Sequence, residues 1–214
     1  MYNQNRNNKK RENKMIIGIY GGSFNPIHRG HTQLASAIIG QNLVDELWLL
    51  VSPLNPLKES ESESIAAYAH RLRMAQLATE NMPRVRVSDF ESHLPVPSYM
   101  VNTLAKLSEA YPQHTFKLVI GADNWRNFSR WYHYEEILKS YGILMYRRPG
   151  YEIEEESQLP SSVSVVETDL YDISSTQIRQ ALQRGDRMGK WLDEKVVEYI
   201  IEHHLYAFAS LKPE

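Results

Sequence analysis

Apolar and polar positions along this chain follow two rhythms. Short apolar runs at Met15–Tyr20, Glu46–Val51, Val85–Asp89, Thr115–Ile120 and Gly142–Tyr146 predict buried strands, and Ser164–Thr168 predicts one more. Helical spacing fills the intervals. Gly30–Gly40 puts Leu34, Ala35, Ile38 and Ile39 on one face, and Ile65–Glu80 continues the pattern. Ser98–Tyr111 predicts a helix with Ser98 as its N-cap after Pro97. A short helix is expected over Tyr134–Lys139, and two more, Ser174–Gln183 and Asp193–His203, close the chain. Strands alternating with helices predict an α/β fold, a mostly parallel sheet with helices on both faces. Ligands of such sheets bind beyond the carboxyl ends of the strands, where the strand order reverses. The loops after the first and fourth strands are therefore the places to look for chemistry.

The rest of the chain sets the boundaries. Residues 1–14 are polar, Asn-rich and basic, and are expected to form a disordered tail. A single domain is expected over 15–208, with 209–214 as a C-terminal tail. Ser52–Ser62 is a Pro- and Ser-rich loop, and Gly150–Ser161 is an acidic excursion with no role that its composition supplies. The formal net charge is −2, which gives no overall bias toward nucleic acid or an anionic membrane. No apolar run approaches the length of a membrane span. There is no cysteine, so disulfides, thiolate metal sites and cysteine catalysis are excluded, and a cytoplasmic location fits. Oligomeric state, a homo-oligomer included, is not legible.

Two strings carry candidate chemistry. The first runs Gly21-Gly22-Ser23-Phe24-Asn25-Pro26-Ile27-His28-Arg29-Gly30-His31, across a strand-to-helix junction. Paired glycines let the backbone turn and approach a ligand closely. The following helix turns its free N–H groups and positive dipole end toward that ligand. His28 and His31, three apart, are expected on one side, and nearby phosphates would favour both rings as cationic donors. Zinc is a competing use for two histidines, but no third ligand lies beside them. The string is neither a Walker loop nor a dinucleotide fingerprint. The second string, Ile173-Ser174-Ser175-Thr176-Gln177-Ile178-Arg179, has capping-box spacing between Ser174 and Gln177. Ser175, Thr176 and Arg179 then stand beside the free amides of a helix start, a second grip for an anion.

Together these strings resemble the two signatures of the nucleotidyltransferase superfamily with the H-x-G-H motif. The likeness is greatest to the bacterial nicotinate-nucleotide adenylyltransferase family. It extends from about Met15 to Tyr206 and takes in Ser52–Lys58, Pro97-Ser98-Tyr99, Ile120–Asp123, Trp131–Tyr134 and Arg147–Gly150. Asn25 departs from the Asp that many members carry, and Met100 from the Thr that often follows the Tyr. The resemblance implies a Rossmann-like nucleotidyltransferase fold. It also implies the reaction of ATP with nicotinate mononucleotide to give nicotinate adenine dinucleotide and pyrophosphate in NAD biosynthesis, with Mg2+ carried mainly by the ATP phosphates.

It assigns His28, His31 and Arg179 to catalysis. Gly21, Gly22, Ser23, Phe24, Lys58, Gly121, Asp123, Ser174, Ser175 and Thr176 join them in binding ATP. Ser23, Lys58, Tyr99, Met100, Trp131 and Arg148 are implied on the mononucleotide side, with Trp131 stacking on the pyridine ring. Nicotinamide-mononucleotide and phosphopantetheine adenylyltransferases share the chemistry. A non-catalytic nucleotide sensor would be expected to lack one of the phosphate-gripping residues, and all are present. The Lys-Met-Ser-Lys-Ser loop of class I aminoacyl-tRNA synthetases is missing.

Overall fold

The computed structural model describes residues 14–53, 66–96, 98–153, 156–169 and 172–207. Most of the expected basic tail, Lys58, Pro97 and the whole expected C-terminal tail lie outside the described residues. Six strands form one sheet: β1 (Ile16–Gly22), β2 (Glu46–Val51), β3 (Val85–Ser88), β4 (Thr115–Gly121), β5 (Gly142–Tyr146) and β6 (Val163–Val166). Their order is β3-β2-β1-β4-β5-β6, and every neighbouring pair is parallel. The order reverses between β1 and β4, which places the switch-point crevice at Gly22 and Gly121.

Side chains alternate across the sheet and define two cores. Ile17, Ile19, Trp48, Leu50, Leu118, Ile120, Ile143 and Met145 face one way. Tyr20, Leu47, Leu49, Val51, Val119, Leu144 and Tyr146 face the other. Both faces are apolar because both are covered, as a parallel sheet requires. On the second face lie α1 (Arg29–Gly40), α2 (Tyr68–Thr79), α6 (Ser175–Gln183) and α7 (Glu194–Glu202), through residues such as Ile38, Met74, Ile178 and Ile200. On the first face α3 (Met100–Ala110) packs Val101, Leu104 and Leu107, and α5 (Tyr134–Ser140) packs Ile137.

Three expectations need correction. β1 runs through Gly21 and Gly22, so the paired glycines end a strand instead of forming the turn. Their amides and carbonyls pair with β2, as Gly21 with Leu50 and Gly22 with Val51. α3 starts at Met100 with Tyr99 as N-cap, and no side chain caps it; Ser98 lies one residue too early. A short α4 (Ala122–Arg126) and a 3-10 turn at Phe128–Arg130 were not expected. Five helical residues carry too little periodicity to be read from sequence, and Asp123 accordingly sits in a helix's first turn, beyond the strand end.

Candidate active site

The histidine pair closes the start of α1. His28 is the N-cap, 4% exposed, and His31 is the third helical residue. The Nδ1 of His31 accepts from the backbone N–H of His28 at 3.1 Å, which leaves the neutral ring's proton on Nε2. The two imidazoles stack with centroids 3.7 Å apart. Gly30 makes room for them, since a Cβ there would meet the His28 ring at 3.1 Å. His28 Nδ1 is buried at the start of α1. Burial, with Arg148 as a second cause, lowers the pKa of His28 to about 3. The expectation of cationic rings applies beside phosphates: in the free protein burial keeps His28 neutral, and an arriving polyphosphate would favour its charged form.

The second string joins the first. The capping box expected at Ser174 and Gln177 is formed: Gln177 N–H donates to Ser174 Oγ at 3.2 Å, and Ser174 N–H donates to Gln177 Oε1 at 2.7 Å. The Ser175 hydroxyl donates to the carbonyl of Pro26 at 3.0 Å. Arg179, 7% exposed, donates to the carbonyl of Asn25 at 3.0 Å and to Thr176 Oγ1 at 3.3 Å. The start of α6 is thus fastened to the loop between β1 and α1. Ser175 and Arg179 bond the loop itself, while Ser174 and Thr176 bond Gln177 and Arg179 within α6. The Asn25 side-chain oxygen accepts from the Tyr206 hydroxyl at 2.8 Å and from the Ala66 N–H at 3.1 Å.

Beside the histidines, Arg148 lies 3.6 Å from Asp123, an ion pair too long for a hydrogen bond, and over the Tyr146 ring. Gly121 lets this pair fold over the end of β4, because a Cβ there would collide with the Asp123 carboxylate. Arg148 shares a recess with Tyr20, His28, His31 and Tyr146. It does not line the cleft around Tyr99, Met100 and Trp131. Tyr20 and Tyr146 bring their hydroxyls to 3.4 Å, and burial raises both pKa values, so both stay neutral.

That cleft opens on the other side of Gly21 and Gly22. It has a volume of about 260 Å³, and Ser52, Glu91, Tyr99, Met100, Trp131 and Tyr132 line it further. Trp131 is half-buried against Phe128, with ring centroids 5.3 Å apart. Tyr99 and Tyr132 pair at 4.8 Å on the rim. The structure therefore gathers Gly21, Gly22, Tyr99, Met100 and Trp131 around one cleft, and His28, His31, Gly30 and Arg148 around an adjoining recess. Among the described residues no group of three His, Asp or Glu could hold a metal ion. No helix among them is long and apolar enough to cross a membrane.

Two buried ionisable residues escaped the sequence reading. Arg71, 2% exposed, bonds four backbone carbonyls around the loops, and Glu91, 4% exposed, accepts from the Thr103 hydroxyl at 3.1 Å. Burial raises the Glu91 pKa. The one available signal for Arg71 was its position: it shares the buried face of α2 with Met74 and Ala75, where an exposed arginine would not fall.

A parallel sheet with this strand order, and a strand–loop–helix phosphate grip at its switch point, is the architecture of Rossmann-like nucleotidyltransferases. Consistently, residues 19–181 match the family described as cytidylyltransferase-like. A protein of Bacteroides thetaiotaomicron named "Probable nicotinate-nucleotide adenylyltransferase" is 49% identical over 89% of this chain and 93% of its own length. A Flavobacterium johnsoniae protein of the same name is 38% identical over 90% and 99%. Among solved structures, Plasmodium falciparum nicotinic acid mononucleotide adenylyltransferase complexed with NaAD superposes with a TM-score of 0.77, at 23% identity, over 90% of this chain and 98% of that one. The chain belongs to the nicotinate-nucleotide adenylyltransferase family.

Proposed function

We propose that this protein transfers the adenylyl group of ATP to the phosphate of nicotinate mononucleotide, giving nicotinate adenine dinucleotide and pyrophosphate. The observation that carries the reading is the end of β1 at Gly21 and Gly22. The cleft with Trp131 and the start of α3 opens on these glycines, and the loop that follows them in the chain leads to His28 and His31 and is fastened to α6. An aromatic acceptor in the cleft would meet a triphosphate donor held by that loop.

The acceptor phosphate is already an anion, so its attack on the α-phosphorus needs no protein base, and the work is positioning and charge stabilisation. His31 donates from Nε2 to the phosphates, and His28 takes up charge as they arrive. Lys58, Ser23 and the α6 start with Arg179 hold the phosphate oxygens, and Asp123 meets a ribose hydroxyl. Mg2+ held by the ATP phosphates would neutralise charge on the departing pyrophosphate; the described residues offer no cluster of their own for it. Trp131 stacks on the pyridine ring, and the amides at the start of α3 favour a nicotinate carboxylate over a neutral amide. A cytoplasmic location fits this reading.

Pyrophosphate release from ATP with nicotinate mononucleotide, nicotinamide mononucleotide, phosphopantetheine or no acceptor tests it. Release greatest with nicotinate mononucleotide is expected. Equal release with nicotinamide mononucleotide would remove the carboxylate argument, and release with phosphopantetheine alone would overturn the acceptor.

A further inference from the structure

Arg71 is a buried cation whose four hydrogen bonds all go to backbone oxygens. Its Nη1 donates to the carbonyls of Ser23 at 2.7 Å and Ser52 at 2.8 Å, its Nη2 to Pro53 at 3.0 Å and its Nε to Ala66 at 3.0 Å. Arginine stays charged in proteins, and burying a charge is costly unless something compensates it. Here backbone dipoles of separate loops do so, and the fork fixes them to one another. Ser23 follows the strand end that carries Gly21 and Gly22. Ser52 follows β2, donates its N–H to the carbonyl of Gly22 at 2.9 Å and lines the acceptor cleft. The peptide after Ser23 is planar and trans, so a carbonyl held toward Arg71 turns the Phe24 N–H to the opposite side.

We propose that Arg71 is a positioning residue for adenylyl transfer, whose guanidinium sets the donor-side turn at Ser23 against the acceptor-side strand end at Ser52. It touches neither substrate; it acts through the two carbonyls that its Nη1 bridges. The planar guanidinium serves all four carbonyls in fixed directions, whereas a lysine ammonium has three rotatable N–H bonds and no fixed geometry. In-line transfer depends on the attacking oxygen and the phosphorus being held within a fraction of an ångström, and misplacement by about 1 Å costs about 10²-fold.

The inference rests on the adenylyl-transfer reading, and the test separates the two. Wild type, Arg71→Lys and Arg71→Gln are compared as full-length chains, with whichever acceptor supports wild-type pyrophosphate release, and kcat is corrected for folded fraction by thermal unfolding. Both variants should lose about 10- to 100-fold in kcat while KM for ATP and for the acceptor stays within about threefold. Unchanged kcat in Arg71→Lys, a loss carried by KM, or a loss that merely follows folded fraction would overturn the proposal. So would failure of both variants to fold, which would make Arg71 a stability residue alone. A wild type inactive with every acceptor overturns both readings; one active with an acceptor other than nicotinate mononucleotide overturns only the choice of substrate.

Discussion

Arg179 donates from Nη1 to the carbonyl oxygen of Asn25, 154 residues earlier in the chain, at 3.0 Å. The contact makes the phosphate grip a composite of the first and last parts of the domain. Asn25 lies between the strand end and His28, so the histidine loop takes its shape partly from α6. Removing Arg179 should then cost twice. Arg179→Ala should lower kcat by about 10²–10³-fold, by analogy with loss of one transition-state donor. Steady-state kinetics should also show Arg179→Lys failing to restore the rate, since lysine lacks the planar fork that sends Nη1 to Asn25 and Nη2 to Thr176. In urea unfolding, the uncovered Asn25 carbonyl should add a loss of about 1–3 kcal/mol. A fully active lysine variant would remove the fork from the argument.

His28 makes stability depend on pH. Its imidazole titrates near 6.5 when unfolded and at about 3 when folded. Between those values the unfolded chain binds the extra proton, so stability rises with pH across that window and is lost as pH falls through it. The slope from this one group approaches about 1.4 kcal/mol per pH unit at most. Urea midpoints from pH 4 to 7 should flatten in His28→Asn relative to wild type. Parallel curves would show that His28 does not titrate with unfolding.

His31 fixes its ring through its own N-cap neighbour, which places the neutral ring's proton on Nε2. His31→Ala should reduce turnover by about 10²–10³-fold with the fold intact by circular dichroism. Turnover near the wild-type rate would take His31 out of phosphate binding.

Trp131 is held by Phe128 at one edge of the acceptor cleft. Stacking on a base-like ring contributes about 1–3 kcal/mol, which corresponds to about 5- to 150-fold in affinity. Trp131→Ala should raise KM for the mononucleotide by that order and leave KM for ATP nearly unchanged. An equal effect on both substrates would point to lost packing.

Asn25 departs from the Asp common in the family, and the structure supplies a reason for its tolerance. Its side-chain oxygen acts as an acceptor, from Tyr206 and from Ala66, and Asp carries the same acceptor. Asn25→Asp should keep turnover within about threefold of wild type, whereas Asn25→Leu, which strands the buried Tyr206 hydroxyl, should destabilise the protein by about 1–3 kcal/mol in urea unfolding. A large loss in Asn25→Asp would mean that the added charge matters more than the acceptor.

The chain by itself determined the alternation of strands and helices, both apolar sheet faces, the Ser174–Gln177 capping box and the two strings at the starts of α1 and α6. These are local: a period of two or of 3.6, a cap three residues wide, or a glycine pair before a helix is written in neighbouring residues. Tertiary structure decided what those strings do together. It brought Asn25 and Pro26 to α6, moved Arg148 to the histidine side, and placed Arg71 and Glu91 in the interior. It also left His28 neutral, because burial acts on charge through surroundings that no local pattern records. Arg71 illustrates the limit: one charged letter on an amphipathic helix becomes a bolt only when carbonyls from the β1–α1 and β2–α2 connections converge on it.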